Sequence, residues 1–511
     1  MKIRDLVAFL ESKGYFRGLY LRGECNPELS VFGSREIRGI SHDSRKITHG
    51  SVFVCLKGLR SDGHEFAAEA KKNGACAILC ERATGVDILH IFVSDVRKSL
   101  GEVASEVYGK PADSMSMVAV TGTNGKSTTA FMLRSIFAGE GIKQGLIGTI
   151  VYDDGSGVCK DAVRTTPEAP DIQYMLAEML KNGCKSCVME TSSHGISFGR
   201  LTGCSFDAAV FTNLTPEHLD FHGSMDNYFK AKLQLFKEYM RRGSWHGAVN
   251  NDDQYGRVVK GLFPERVFSF GLDTSRDPDI AGRIINMDLS GIRLSVEYRK
   301  RNIFFEVDLP VTGAFNANNA IGAASVSLAM GLAPESIIKG LEQMPQVPGR
   351  MQSICFRNGV TALIDYAHTP DALENVLSSI RSLCKGQIWC VFGSGGDRFQ
   401  MNRPIMGEIA ARIADHIVVT MDNPRSEDPK MIAEQIVNGI QTKGKNMARV
   451  DWRIILDRNR AVHFALDSAS DGDVVLIAGK GPERNIVFSD RIVPYSDLEA
   501  VTEWSREKGV Q

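Results

Sequence analysis

Two short stretches carry residue types that could do chemistry. In "VAVTGTNGKSTTAFMLRSIF" (118–137) a glycine turn, Gly122, Thr123, Asn124 and Gly125, separates an apolar run from an amphipathic segment and leads directly into Lys126, Ser127 and Thr128. A turn of this kind aims backbone N–H groups and a helix N-terminus at phosphate oxygens, while the lysine supplies charge and the serine hydroxyl can ligate Mg2+. The second stretch, "IVVTMDNPRSEDP" (417–429), ends an apolar strand on Asp422, Asn423, Pro424 and Arg425. An acid, an amide and a cation packed so closely suit a zwitterionic ligand. Taken alone, the tetrapeptide is better explained as a turn with a solvated arginine.

Other candidates fall at the ends of apolar runs. "VMETSSHG" places Glu190 at a strand end, and "VFTNLTPEHLDFHG" places Asn213 and His218 after another. A carboxylate and an imidazole at neighbouring strand ends could hold a metal beside phosphates. "YFKAKLQLF" (228–236) reads as a helix with two exposed lysines, Lys230 and Lys232. Asn316, Asn318 and Asn319 open a helical run, where asparagine is also simply a good cap. Cys184 and Cys187 form a C-x-x-C, but no second pair completes four ligands, so both read as structural.

These residues need strand ends and helix starts to hold them. Runs such as "SVFVCL", "MVAVTG", "CVMETS", "IWCVFG" and "DVVLIAG" alternate with amphipathic stretches, which predicts an α/β protein with parallel sheets covered by helices. A chain of 511 residues is too long for one core. Breaks at "VYGKPADSM" and "MPQVPGRMQ" divide it into three domains, 1–112, 113–346 and 347–511. A net charge of −1 leaves no electrostatic footprint for nucleic acid or an anionic membrane, so an anionic ligand must be held locally. Eleven cysteines, an odd number scattered over the chain, suit a reducing compartment. With no secretory segment and no membrane-spanning run, the expectation is a cytoplasmic protein without membrane insertion.

The phosphate loop departs from the G-x-x-x-x-G-K-[ST] form, because Val120 stands where the first glycine belongs. T-G-T-N-G-K-S resembles instead the loop of the Mur ligases and folylpolyglutamate synthetases, which join an amino acid to a carboxylate at the expense of ATP. Segments along the whole chain resemble the Mur ligases in order and spacing: "SHDSRKITHGSVFVCLKGLRSDGHEF", "YFKAKLQLF", "PGRMQ", "LIDYAHTPDAL", "FGSGGDRFQMNRP", "DNPR" and "AGKGPE".

The resemblance implies a UDP-binding amino-terminal α/β domain, a central P-loop ATPase-type parallel sheet and a Rossmann-like carboxy-terminal domain. It implies ATP contacts from Gly122 to Thr128 and from Asn213, Asn316, Asn319, Arg350 and Asp365. Mg2+ would be held by Ser127, Glu190, His218 and a carbamylated Lys232, with Lys126, Lys232, Glu190 and His218 carrying the catalysis. Ser44, Leu59, Arg60 and Ser61 would contact the uridine diphosphate, and Thr165, Thr166, Ser192, Phe198 and Arg200 the muramyl dipeptide. Phe198 stands where some relatives carry glutamine. Arg398, Asp422, Asn423, Pro424, Arg425, Gly479 and Glu483 would receive diaminopimelate, Arg425 pairing with the distal carboxylate that lysine lacks.

The activity so implied is ATP-dependent addition of meso-2,6-diaminopimelate to UDP-N-acetylmuramoyl-L-alanyl-D-glutamate through an acyl phosphate, by a cytoplasmic monomer serving peptidoglycan synthesis. Three alternatives stand beside it. A lysine-adding ligase would lack Arg425, a folylpolyglutamate synthetase would lack the UDP-like amino-terminal segment, and a non-catalytic scaffold would have no use for Lys126, Glu190, His218 and Lys232.

Overall fold

The computed structural model describes residues 1–58, 61–443 and 450–510, with the side chain of Lys443 left out. Leu59 and Arg60, two of the expected uridine-diphosphate contacts, lie outside the described residues.

Apolar runs of four to six residues became strands wherever a helical stretch followed, and they assemble into three main sheets. The amino-terminal sheet runs, edge to edge, Glu24–Cys25, Phe16–Leu21, His90–Val93, Ala77–Cys80, Ser51–Val54, Gly39–Ser41. Its last four strands are parallel. The amphipathic opening of the chain is the helix Ile3–Ser12, which buries Ile3, Leu6, Val7 and Leu10 on one face.

The central sheet has eleven strands. Six parallel ones form its middle, in the order Gln144–Ile147, Ser186–Glu190, Ser116–Thr121, Ala208–Phe211, His246–Asn250, Val267–Gly271. Helix Lys126–Gly139 packs Met132, Leu133, Ile136 and Phe137 onto one face together with helix Ala314–Ala329. Helices Ala169–Lys181 and Met225–Glu238 cover the other. Beyond Val267–Gly271 the sheet continues through Ile280–Met287, Ile292–Tyr298 and Ile303–Leu309, the last two pairings antiparallel. An expectation of purely parallel sheets misses this meander. Its strands alternate, as in the burial pattern of Ile292–Tyr298, and only one face is apolar.

The carboxy-terminal sheet runs Gln352–Cys355, Thr361–Asp365, Val474–Ala478, Ile388–Phe392, His416–Val419, Asp451–Ile454, all parallel after the first. Four of the five loops at the carboxyl ends of its parallel strands follow Asp365, Phe392, Val419 and Ala478. They carry the candidate residues Arg398, Asp422, Asn423, Arg425, Gly479 and Glu483, as expected for an open α/β sheet. A fully buried pair ties two of these loops from beneath. Arg458 donates to both Asp497 carboxylate oxygens at 2.8 and 2.9 Å and to the carbonyls of Met421 and Ala478.

Candidate active site

The phosphate loop is built as its sequence requires. Gly125 has φ +83, and a Cβ there would lie 2.3 Å from Asn319 Oδ1, so only glycine lets the helix Ala314–Ala329 approach the loop. Asn213 braces the other side: its Oδ1 accepts the Asn124 N–H at 2.9 Å and its carbonyl accepts the Thr123 N–H at 2.9 Å. Asn316 and Asn319 do not cap the helix. They lie inside it, behind the N-cap Gly313, buried and bonded to each other at 3.1 Å.

Lys126 folds back over the loop, donating to the Gly122 and Thr123 carbonyls at 3.0 and 2.6 Å. Lys232 is not the exposed lysine that its helix alone suggests. It is 1% exposed, its ammonium donates to the same Gly122 carbonyl at 2.7 Å, and it stands 4.8 Å over the Tyr228 ring. Burial, together with the neighbouring Lys126 charge, pushes the Lys232 amine well below its ordinary value. Burial also lowers Lys126, against the pull of Glu217 and Glu190. A downward shift favours the neutral amine, the form that combines with carbon dioxide.

Ser127 Oγ donates to Glu190 Oε2 at 3.0 Å. The same carboxylate accepts the Thr149 N–H and hydroxyl, each at 2.9 Å, and Thr149 Oγ1 lies 3.0 Å from Thr165 Oγ1. Adjacent ligands of an octahedral Mg2+, each about 2.1 Å from the ion, stand about 3 Å apart, so Ser127 and Glu190 fit as neighbours in such a shell. Among the described residues no three His, Cys, Asp or Glu side chains gather as a metal cluster. A complete shell would therefore draw on the serine hydroxyl and a carbamate as well. His218, in the left-handed region at φ 55, packs edge-on against His194 with ring centroids 4.7 Å apart. Its imidazole is lowered by burial and by Lys126 and Lys232, opposed by Glu217. Burial would raise Glu217, but His218, Lys126, His368 and Lys232 outweigh it and hold the carboxyl below the usual range.

The expected dipeptide residues cluster beside this centre. Thr166 Oγ1 donates to the Glu190 carbonyl at 2.9 Å and accepts from Ser192 N–H at 2.9 Å, and Arg200 donates to the Thr166 carbonyl at 3.0 Å. Phe198 lies between two guanidinium groups, Arg97 at 5.6 Å and Arg200 at 5.4 Å from its ring. Where a glutamine would offer hydrogen bonds, this chain stacks arginines. Ser44 is turned inward, its hydroxyl donating to Glu69 at 2.6 Å, while Ser61 is exposed and accepts the Gly58 N–H on its carbonyl.

The third domain reaches the same place. Arg350 Nη2 donates to Ser127 Oγ at 3.4 Å, and Asp371 accepts from Asn124 Nδ2 at 3.0 Å and Thr215 Oγ1 at 3.2 Å. Asp365 is tied to the backbone, accepting the Met351 and Ala367 N–H groups at 2.7 and 2.8 Å, and burial raises its carboxyl despite them.

Around the strand ends of this domain Asn423 is held on both sides. Its Nδ2 donates to Glu483 at 2.8 Å, and its Oδ1 accepts from Lys480 and from Val487 N–H, each at 3.0 Å. Arg425 donates its own N–H to the Val487 carbonyl at 2.9 Å and Nη1 to the Gly396 carbonyl at 2.6 Å. Gly396 in turn admits no side chain, since a Cβ would lie 1.8 Å from the Pro424 carbonyl oxygen. Gly479 passes close to Asp422, and Arg398 is exposed on the neighbouring loop. An array of acid, amide and arginine thus exists as a structured crevice. Sequence reasoning missed Lys480, Tyr366, Glu217 and Thr149. The first three lie inside motifs it had singled out, whereas Thr149 carries no local signal.

Comparison with known proteins agrees along the whole chain. Residues 36–110 match the Mur ligase family catalytic domain, 120–327 the Mur ligase middle domain, and 349–481 the Mur ligase glutamate ligase domain. A UDP-N-acetylmuramoyl-L-alanyl-D-glutamate–2,6-diaminopimelate ligase of Syntrophomonas wolfei is 39% identical over 476 residues, covering 93% of this chain and 96% of that protein. A solved diaminopimelate ligase of the same description superposes with a TM-score of 0.65 at 29% identity, over 95% of this chain and 98% of its own. A MurF ligase from Thermotoga maritima in complex with ADP shares the fold, with a TM-score of 0.63 at 21% identity over 92% of this chain and 97% of its own. The chain belongs to the Mur ligase family.

Proposed function

We infer that this protein is an ATP-dependent ligase adding meso-2,6-diaminopimelate to UDP-N-acetylmuramoyl-L-alanyl-D-glutamate, with release of ADP and phosphate. The reading is supported by one observation: in the phosphate loop Ser127 touches both Glu190 and Arg350, and Arg350 belongs to the domain whose strand-end loops hold Asn423 against Glu483 and Lys480 and carry Arg425. Family membership and the relatives' described activity support it. The domains divide near residues 112 and 346.

A carboxylate does not condense with an amine in neutral water, because oxide does not leave. The D-glutamyl side-chain carboxylate attacks the γ-phosphorus of ATP, ADP departs, and an acyl phosphate results. The diaminopimelate amine, having lost its proton, then attacks the acyl carbon and phosphate leaves with the original carboxylate oxygen. Phosphoryl transfer depends chiefly on positioning and charge neutralisation. Lys126 and the loop N–H groups hold the phosphates, Thr165, Thr166, Ser192 and Arg200 orient the dipeptide, and Arg350 approaches from the third domain. Ser127, Glu190, His218 and carbamylated Lys232 would hold Mg2+, which when bound screens the triphosphate against the incoming carboxylate.

Substrate choice falls to Arg425. A guanidinium pairs bidentately with a carboxylate, and lysine would leave Arg425 without that charged partner, its Gly396 contact remaining. Equimolar ADP, phosphate and UDP-linked tripeptide from the three substrates test the reading, with Lys126→Ala expected to release no phosphate. Phosphate release by Lys126→Ala at the wild-type rate would overturn the role given to the loop.

A further inference from the structure

Between the nucleotide loop and the amino-acid crevice stands one side chain that touches a candidate residue of each. Tyr366 follows the strand Thr361–Asp365. Its ring lies 4.7 Å from the Arg350 guanidinium, and its hydroxyl donates to Glu483 Oε1 at 3.3 Å. On one side the contacts continue from Arg350 to Ser127 at 3.4 Å. On the other, Glu483 Oε2 accepts from Lys480 at 2.9 Å and from Asn423 Nδ2 at 2.8 Å.

The charges in this chain of contacts are balanced for a purpose. Asp422 and Glu483 bring two negative charges, and Lys480, 0% exposed, lies 4.0 Å from the first and 2.9 Å from the second. Among these three side chains alone, one negative charge remains to meet an ammonium group. Lys480 and Asn423 hold one oxygen of Glu483, and Tyr366 is the one donor to the other, Oε1, among the described residues, so it fixes the plane of the carboxylate. The same ring fixes where Arg350 points, because a guanidinium on an aromatic face loses little freedom on reaching a further partner.

Resting on the proposed function, we propose that Tyr366 is a positioning residue shared by both half-reactions, its hydroxyl setting Glu483 for the incoming amino acid and its ring setting Arg350 for the nucleotide. The two contributions separate by mutation. Tyr366→Phe keeps the ring and removes the hydroxyl; Tyr366→Leu removes both.

Steady-state kinetics on the full-length enzyme with ATP, the UDP-muramyl dipeptide and diaminopimelate read the difference. Tyr366→Phe raises the KM for diaminopimelate about tenfold, the scale of a lost hydrogen bond to a charged group, and leaves the KM for ATP within about twofold. Tyr366→Leu raises both. In the Tyr366→Phe background Glu483→Gln adds less than it does in the wild type, since the two act through one carboxylate. An unchanged diaminopimelate KM in Tyr366→Phe, or equal shifts in both KM values, overturns the proposal. If Tyr366→Leu does not fold, as its melting curve would show, Tyr366→Met tests the ring in its place, and Tyr366→Phe still decides the part of the hydroxyl. Wild-type enzyme inactive on diaminopimelate overturns the proposed function and this inference together, whereas an active wild type with an unaltered Tyr366→Phe overturns this inference only.

Discussion

Replacing Lys232 by alanine probes the feature of the site least expected from a bare sequence. Its ammonium and that of Lys126 donate to a single carbonyl, Gly122, at 2.7 and 3.0 Å. The two nitrogens therefore lie within about 6 Å of each other, where like charges repel by about 3 kcal/mol at an effective dielectric of 20. Glu217 offsets only part of the cost of burying Lys232 beside a second cation. Carbamylation, as proposed, would turn that repulsion into attraction of the same order and add an oxygen ligand to the set proposed with Ser127 and Glu190. Lys232→Ala removes this ligand, so kcat should fall roughly 100- to 1,000-fold, as when one preorganised electrostatic contact is lost. Formate or acetate, small enough to occupy the vacated space, should restore about tenfold. The assay is ATP-dependent phosphate release with and without added carboxylate. Full activity of Lys232→Ala with no carboxylate present would refute the reasoning.

Three further outcomes are expected. Arg425→Ala should raise the KM for diaminopimelate roughly 100-fold, about 2–3 kcal/mol for a charge-assisted pair, and leave the KM for ATP within about twofold; equal losses would show that Arg425 does not select the substrate. Asp497→Asn should lower the urea midpoint by an amount equivalent to about 3–5 kcal/mol, because Arg458 is left charged, buried and half-paired beneath the Met421 and Ala478 carbonyls. His194 is lowered to about 4 by burial, by His218 and by Arg200. Its unfolded form takes up a proton near pH 6.5 while the folded form resists until about pH 4, so stability should be lost as pH falls through that window. Melting temperatures of His194→Gln should decline less steeply between those pH values than those of the wild type.

What was legible in the sequence follows from how local each signal is. Strand, glycine turn and helix are contiguous from Ser116 to Gly139, so the phosphate loop could be read with its core face intact. Four carboxyl-end loops of the last sheet were legible as motifs, yet their mutual contacts were not, since Asn423, Glu483 and Val487 meet across some sixty residues of chain. Lys232 illustrates the limit. Helical period gives a lysine an outward face by default, and only the packing of Met225–Glu238 against the loop shows that this one points inward. Nor does sequence show that the Ser44 hydroxyl donates to Glu69, twenty-five residues away. The meander from Ile280 to Leu309 escaped because alternating strands lack the continuous apolar runs that marked the parallel ones.

The central claim, that one chain couples ATP cleavage at Lys126 to selection of a dicarboxylic amino acid at Arg425, is tested most directly by phosphate release with meso-diaminopimelate and with L-lysine under the same conditions. The expected kcat/KM is at least about 100-fold higher for diaminopimelate, the scale of one lost charge-assisted pair. Equal or faster turnover with lysine would contradict it.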